Sequence, residues 1–383
     1  MGWQERSLLI EVKNYAFLTR CYGTPFANAV EAELLERVGS LCGPRFTVKT
    51  LGGGKLGVVR LPTQAHTQEE AEACNEPAVQ DVFVQGVLLG LAKWAERECG
   101  ASSLALLNVN WVTDAALQQA AAASVEKQFS DSPWEQAQSY ADMEIAADVY
   151  KAIGEDRLDL VFQPVFNTGD LNSILYNECL TRIRVGEGDE TLSPGQFIPS
   201  LERLGVMRCL DRYVMRRAIA LLEEHDDACL GVNISGQSAI DDVWWASIFA
   251  KLAETPSVAQ RLTIEITETA RIYPGAGRQF CHRMHQLGCH IAIDDFGAGF
   301  AMENGLDLHA PDIIKIDASI LKRGIRGGVY SSFGDIVGTA RERAARVVVE
   351  GIESLEELEF VRGAGVLWGQ GNYVAKPVTS LRV

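Results

Sequence analysis

The sequence predicts an α/β protein: a (β/α)8 barrel over its C-terminal part, preceded by a smaller α+β domain. Three observations carry this expectation. From residue 158 onward, short apolar, β-rich runs alternate with amphipathic stretches, eight runs in about 240 residues. The polar residues of those runs fall late in each: Glu178, Asn233, Glu265, Asp294, Lys315, Glu350 and Gln370 come from seven different runs. An Ala-rich polar stretch at 125–145, broken by Ser-Asp-Ser-Pro at 130–133, separates this part from what precedes it.

The strand candidates, in order, are LDLVFQPVF (158–166), ILYNECLTRI (174–183), CLGVNIS (229–235), LTIEITE (262–268), HIAIDDF (290–296), DIIKID (312–317), RVVVEGI (346–352) and VLWGQGN (366–372). Amphipathic helices are expected at 211–225 and 332–345, where apolar residues recur at helical spacing. Repeated units of this length imply parallel strands, whose C-terminal ends share one face. The late polar residues therefore converge at the mouth of the barrel. The expected divisions are 1–125, a linker at 126–140 and a barrel domain at 141–383.

Bulk composition bounds the function. The chain has 383 residues, 47% hydrophobic, with a net charge of −16. An acidic surface repels DNA, RNA and anionic membranes, so no polymeric nucleic acid and no membrane is expected as a partner. No apolar run approaches the roughly 20 residues of a membrane span. The start, MGWQERSLLIEV, lacks a signal-peptide pattern. Nine cysteines without a CxxC pair read as reduced thiols, hence a cytoplasmic location.

Buried carboxylates cost several kcal/mol unless paired or bound to metal. Glu178, Asn233, Glu265, Asp294, Asp295 and Glu350 are hard oxygen donors suited to Mg²⁺ or Mn²⁺. A two-metal site of this kind activates water and stabilises an in-line displacement at phosphorus. Lys315 falls where a donor to developing phosphate charge is needed. Phosphodiester hydrolysis fits these residue types. So does enolase-type proton abstraction, which also uses carboxylates, Mg²⁺ and a lysine on a barrel.

The order of motifs is more specific. FQPVF, NECLTRI, FIPSLERLGVM followed by LDRYVMRRAI, VNIS, IEITE, DDFGAGF, KID, EGIE and QGNYVAKP run in sequence through 141–383. This segment resembles the EAL-domain family of cyclic-di-GMP phosphodiesterases. The resemblance implies two divalent cations, Mg²⁺ or Mn²⁺. Glu178, Asn233, Glu265 and Asp294 match the ligands of one; Asp294, Asp295 and Glu350 match those of the other. Lys315 and Gln370 match residues around the attacking water. Gln163 and Arg182 match contacts to the dinucleotide, and Glu268 matches a glutamate that steadies the loop after the Asp-Asp pair. The implied reaction opens cyclic di-GMP to linear pGpG, and a homodimer through this domain is implied as well.

Two departures stand out. Cys179 replaces the signature alanine, on the face opposite Glu178. The loop after Asp295 reads DFGAGFAM, so Ala298, Ala301 and Met302 lack the hydroxyls usual in the family. Lost hydrogen bonds of about 1 kcal/mol each loosen the loop without removing a ligand. A second function class therefore stays open: a receptor for cyclic di-GMP, or a scaffold for a protein partner, with weak turnover or none.

Residues 7–61 resemble a GGDEF domain, the family that makes cyclic di-GMP, with LLIEVKNYAFLTRCYG and TLGGGKLGVVRL in the expected places and WVTDAALQQA as a closing helix. The chemistry is missing. Lys13 stands where a metal-binding Asp is expected, and Gly54 and Lys55 replace the two acidic residues of the signature. Thr19 and Asn28 replace the nucleotide-holding Asn and Asp, and GPRF (43–46) replaces the inhibitory Arg-x-x-Asp. A non-catalytic domain that regulates, dimerises or recruits a protein partner is expected. Gly52–Gly54 reads as a β-turn rather than a phosphate cradle. The cluster CHRMHQLGCH (281–290) is not expected to hold zinc, because Gly288 ends the helix and parts its cysteines and histidines. Trp244 and Trp245 are expected in the core.

Overall fold

The computed structural model describes residues 7–12, 14–42, 46–60, 107–122, 133–185, 190–241, 245–267, 276–297, 311–327 and 330–381. Glu268, Lys13, Trp244 and the loop residues Ala298, Ala301 and Met302 lie outside these. The chain divides into two compact units. One comprises Met1–Arg157, Gly195–Leu210 and Asp242–Ser247; the other comprises Leu158–Pro194, Asp211–Asp241 and Ile248–Val383.

In the first unit, β1 (Ser7–Val12), β2 (Phe46–Thr50), β3 (Lys55–Arg60) and β4 (Leu107–Val112) form an antiparallel sheet in the order β2-β3-β1-β4. The central strand SLLIEV is buried on both faces, so it reads as an apolar run and not as an alternation. Helix α1 (Tyr15–Tyr22) precedes α2 (Thr24–Cys42), whose Ala27, Val30, Leu34 and Val38 form a fully buried stripe at helical spacing. Helix α3 (Asp114–Ala122) sets Leu117 over Gly57 of β3, where a β-carbon would press on it at 3.0 Å. Helix α4 (Pro133–Gly154) starts on a proline, which loses nothing there because its missing N–H falls in the first turn. On α4, the buried carboxylate of Asp142 takes two bonds from Arg203 (2.8 and 2.6 Å) and one from Gln138 (3.0 Å).

The turn between β2 and β3 is a tight glycine hairpin. Gly52, Gly53 and Gly54 all have left-handed φ (80°, 63° and 76°), a region costly for other residues. Glu31 of α2 clamps it: one carboxylate oxygen accepts the Gly54 N–H (2.9 Å) and the other the Thr50 hydroxyl. An acidic group thus faces the turn where a phosphate would have to sit. Next to it, Lys55 is buried and donates to the Ala120 carbonyl (3.0 Å).

The second unit holds β5 (Leu158–Asn167), β6 (Ile174–Arg184), β7 (Thr191–Leu192), β8 (Leu230–Ile234), β9 (Leu262–Thr267), β10 (His290–Phe296), β11 (Ile313–Ile316), β12 (Arg346–Val349) and β13 (Trp368–Gly369). The sheet runs β5-β13-β12-β11-β10-β9-β8-β6-β7, and β5 also pairs with β6, closing eight strands into a barrel. The helices that follow β5 in chain order are α5 (Pro194–Leu204), α6 (Met207–Glu224), α7 (Ala246–Glu254), α8 (Pro256–Ala259), α9 (Ala276–Gln286), α10 (Ala318–Gly327), α11 (Tyr330–Arg343) and α12 (Leu355–Gly363); α5 from Gly195 onward and the starts of α6 and α7 fall in the first unit.

One barrel strand departs from the all-parallel expectation. β6 and β8 through β13 run parallel to one another, but β5 is antiparallel to both β6 and β13, and the short β7 beyond the barrel is antiparallel to β6. Parallel neighbours need a crossover of a dozen or more residues. Only a short turn joins β5 to β6, where the Asn167 side chain accepts the N–H groups of Gly169 (2.9 Å) and Asp170 (3.2 Å). A hairpin is the one connection that fits.

Inside the barrel, Val165, Tyr176, Ala292, Ile313 and Val348 form a buried apolar layer. Burying side chains of this size contributes about 1.5–3 kcal/mol each. Strand alternation then puts the residue two further along on the same face. Those residues are Glu178, Asp294, Lys315 and Glu350, with Gln163 two back from Val165 because β5 runs the other way. The polar mouth is stacked directly on the apolar floor.

The cluster at 281–290 resolves into packing and one surface ion group. Cys281 and Cys289 are buried, and burial pushes both thiols up to about 12. His285 lies 2.7 Å and His290 3.7 Å from the Asp312 carboxylate. Trp245 is buried.

Candidate active site

Lys315 is the centre of the mouth. Its side chain is fully buried, and its Nζ lies 2.6 Å from Glu265, 2.8 Å from Glu350 and 3.3 Å from both Glu178 and Asp294. Burial alone would lower the lysine, but the four carboxylates hold it well above its usual range. Burial pushes Glu265 up to about 8, against the pull of Lys315. Burial likewise raises Asp294 and Glu350. Glu178 goes the other way. Burial acts on it too, but Lys315 and hydrogen bonds from Gln370 (2.6 Å) and Asn233 (2.6 Å) outweigh that and lower it.

Asp295 follows Asp294 directly, so plain alternation would turn it away from the mouth. The chain solves this with an irregularity in the pairing of β10 with β11 between Ile293 and Phe296 and a left-handed Asp295 (φ 58°). Bulges re-aim side chains in this way. Such a conformation costs a non-glycine residue on the order of 1–3 kcal/mol. Burial and the adjacent Asp294 push Asp295 up to about 6.

Two carboxylate sets result. Glu178, Glu265 and Asp294 can each offer an oxygen within 4.8 Å of the others, and so can Asp294, Asp295 and Glu350. Asp294 belongs to both. Among the described residues, buried Glu265 Oε1 has no hydrogen-bond partner, a costly state that a bound cation would relieve. The donors are all hard oxygens, so the residues present fit Mg²⁺ or Mn²⁺.

Gln163 and Gln370 extend the network. Gln163 stands opposite Glu178 in the β5–β6 ladder. Its amide nitrogen donates to the Ala375 carbonyl (3.1 Å), while Gln370 donates to Gln163 at 3.4 Å. Asn372, not anticipated from the sequence, accepts from Gln163 at 3.4 Å. Arg182 is not drawn into the carboxylate cluster; it donates to the Thr181 carbonyl (2.7 Å). Cys179 is buried on the face opposite Glu178. The residues that sequence reasoning missed are those whose signal is a size or a gap, Tyr176 and Gly231, and Asn372, whose motif position gave no chemical cue.

A closed barrel with an acidic mouth at the C-terminal ends of its parallel strands defines a class of site whose donors fit divalent cations. Residues 146–377 match the EAL domain, and the chain belongs to this family. Over 378 residues it is 28% identical to the cyclic di-GMP phosphodiesterase PA2567 of Pseudomonas aeruginosa, covering 94% of this chain and 62% of the relative. It is 29% identical over 233 residues to the cyclic di-GMP phosphodiesterase PdeF of Escherichia coli (strain K12), covering 59% of this chain and 31% of the relative. The chain thus spans less than two thirds of the length of these relatives. Its fold is similar to that of Vibrio cholerae LapD S helix-GGDEF-EAL without ligand (TM-score 0.52, 16% identity), covering 98% of this chain and 90% of that one. Among the described residues, no helix is long and apolar enough to cross a membrane.

Proposed function

We propose that the barrel hydrolyses one phosphodiester bond of cyclic di-GMP to give linear pGpG. The observation that carries this is the pair of carboxylate sets sharing Asp294 around a fully buried lysine. Glu178, Asn233, Glu265 and Asp294 would hold one divalent cation, and Asp294, Asp295 and Glu350 the other. Such ions, when bound, make water nucleophilic near neutral pH and neutralise charge at phosphorus.

The chain's own groups do the rest. Lys315, held protonated by its four carboxylates, donates toward the attacking oxygen or the phosphoryl charge. Gln370 bonds to Glu178 and fixes its orientation. Gln163, tethered at Ala375, presents its amide to the dinucleotide, and Arg182, on the neighbouring strand β6, supplies a cation. Glu268 steadies the loop that follows Asp295.

Within the first unit, residues 1–125 form a cyclase-like domain without cyclase chemistry. Glycine and lysine stand at Gly54 and Lys55, and Glu31 occupies the hairpin. It regulates the barrel or recruits a protein partner, and the barrel domain forms the homodimer. The protein works in the cytoplasm.

Incubation with cyclic di-GMP and Mg²⁺ or Mn²⁺, with pGpG followed by chromatography, tests the reading. Metal-dependent pGpG that disappears with EDTA and in Glu178→Ala is expected. Tight binding without product would make the protein a receptor.

A further inference from the structure

The apolar floor beneath the carboxylates has one missing side chain. Gly231 lies in β8 opposite Glu178 of β6, two residues before Asn233. On the inward face it stands where the other strands carry Tyr176, Ala292, Ile313 and Val348. A β-carbon at 231 would overlap Oε1 of Glu265 and come within 2.5 and 2.8 Å of the Tyr176 ring. The space a side chain would take is therefore filled by a carboxylate from the next strand and a ring from the previous one.

The fit is tight and specific. Glu265 is fully buried; its Oε2 reaches Lys315 at 2.6 Å, while Oε1 lies in the Gly231 gap without a partner. The Tyr176 hydroxyl is also buried and has no partner among the described residues. Its ring, not its oxygen, is the part that meets the gap. Ring edges carry partial positive charge and tolerate a neighbouring carboxylate oxygen.

We infer that Tyr176 and Gly231 are positioning residues for Glu265: the ring supports the carboxylate from beneath, and the absent side chain gives it its seat. The atoms a methyl group at 231 would displace are all side-chain atoms, the Glu265 carboxylate oxygen first and the Tyr176 ring next, and none is backbone. Gly231→Ala should therefore move the carboxylate and leave the barrel folded. The inference rests on the reading of Glu265 as a cation ligand.

The test is calorimetric Mn²⁺ binding with parallel thermal melts. Gly231→Ala should weaken Mn²⁺ about 10–100-fold, the range for losing a group that orients a ligand, with little change in melting. Gly338→Ala, where a β-carbon meets nothing within 4 Å, should bind as the wild type does. The double variant Gly231→Ala/Tyr176→Leu, which shrinks the ring to make room for the methyl, should recover most of the lost affinity. Tyr176→Phe should bind normally and Tyr176→Leu alone should not. Wild-type affinity in Gly231→Ala, or in Tyr176→Leu, would overturn the inference, as would a double variant no better than Gly231→Ala. If the wild type takes up no Mn²⁺, the cation reading fails by itself. A crystal structure of Gly231→Ala then decides the placement: a Glu265 moved off Lys315 supports it, and an unmoved one overturns it.

Discussion

Among the described residues, one lysine is buried in each of the two units, and the two are used differently. Lys315 sits among four carboxylates within 3.3 Å of its nitrogen. Lys55 donates to the main-chain carbonyl of Ala120. Around the first, charge is concentrated beyond what one lysine can neutralise, and Glu265 and Asp295 are pushed up to about 8 and about 6. Around the second, the neighbouring glutamate has turned to tie down a glycine hairpin. Excess buried acid marks a place built for cations; a lysine that donates to a main-chain carbonyl helps to hold shape.

The comparison can be broken most directly at Asp294, which serves both carboxylate sets. Asp294→Asn should reduce pGpG formation to background while circular dichroism and melting stay close to wild type. Retained turnover would remove the site assignment. Next in size is Lys315→Met. Removing one partner of a buried ion group costs about 3–5 kcal/mol. In EDTA this variant should melt well below the wild type, and Mn²⁺ should recover part of the loss. Equal melting of the two proteins in EDTA would deny Lys315 its counter-ion role.

Lys55→Met should cost less, about 1–3 kcal/mol for a carbonyl left without its donor. Denaturant melts would read the loss, and the Mn²⁺ affinity of the full chain should not change. A drop in that affinity would tie Lys55 to the barrel site and erase the contrast.

The smallest effect comes from an ion group outside both sites. Burial raises Asp312, but bonds from His290, His285 and the Ile291 N–H outweigh it and hold the carboxyl well below its usual range. A carboxyl depressed by folding adds stability that is fully present above its unfolded pKa and is lost only as pH falls through its lowered folded value. Asp312→Asn should therefore lower the melting temperature at pH 7, keep much of that deficit near pH 3 and lose it only in stronger acid. A pH-independent difference would mean that the ion group contributes only packing.

Much of the barrel was legible because its strands announce themselves twice, once by apolar β-branched runs and once by the polar residue that ends them. IEIT, AIDD, IIKI and VVVE each place a charge two residues beyond a floor residue, or close to it, and period-two alternation does the rest. Glu178, Glu265, Asp294, Lys315 and Glu350 converge for that reason. Arg182 carries the same signal yet bonds to Thr181, since strand position fixes which face a residue takes and not how far its side chain reaches. Asn372 gave no signal of its own.

The sequence by itself determined which strands form, which faces they turn inward and what chemistry lines the mouth, because side-chain alternation is local and needs no knowledge of the partner strand. Only the tertiary structure decided three things. β5 runs antiparallel because the turn after it is too short to cross over. Asp295 joins the mouth because a pairing irregularity and a left-handed backbone override alternation. Glu265 finds its place because a glycine on the next strand leaves a gap and a tyrosine one strand further supports it. Each depends on contacts between residues distant in sequence, where volume and register, not residue type, choose the outcome.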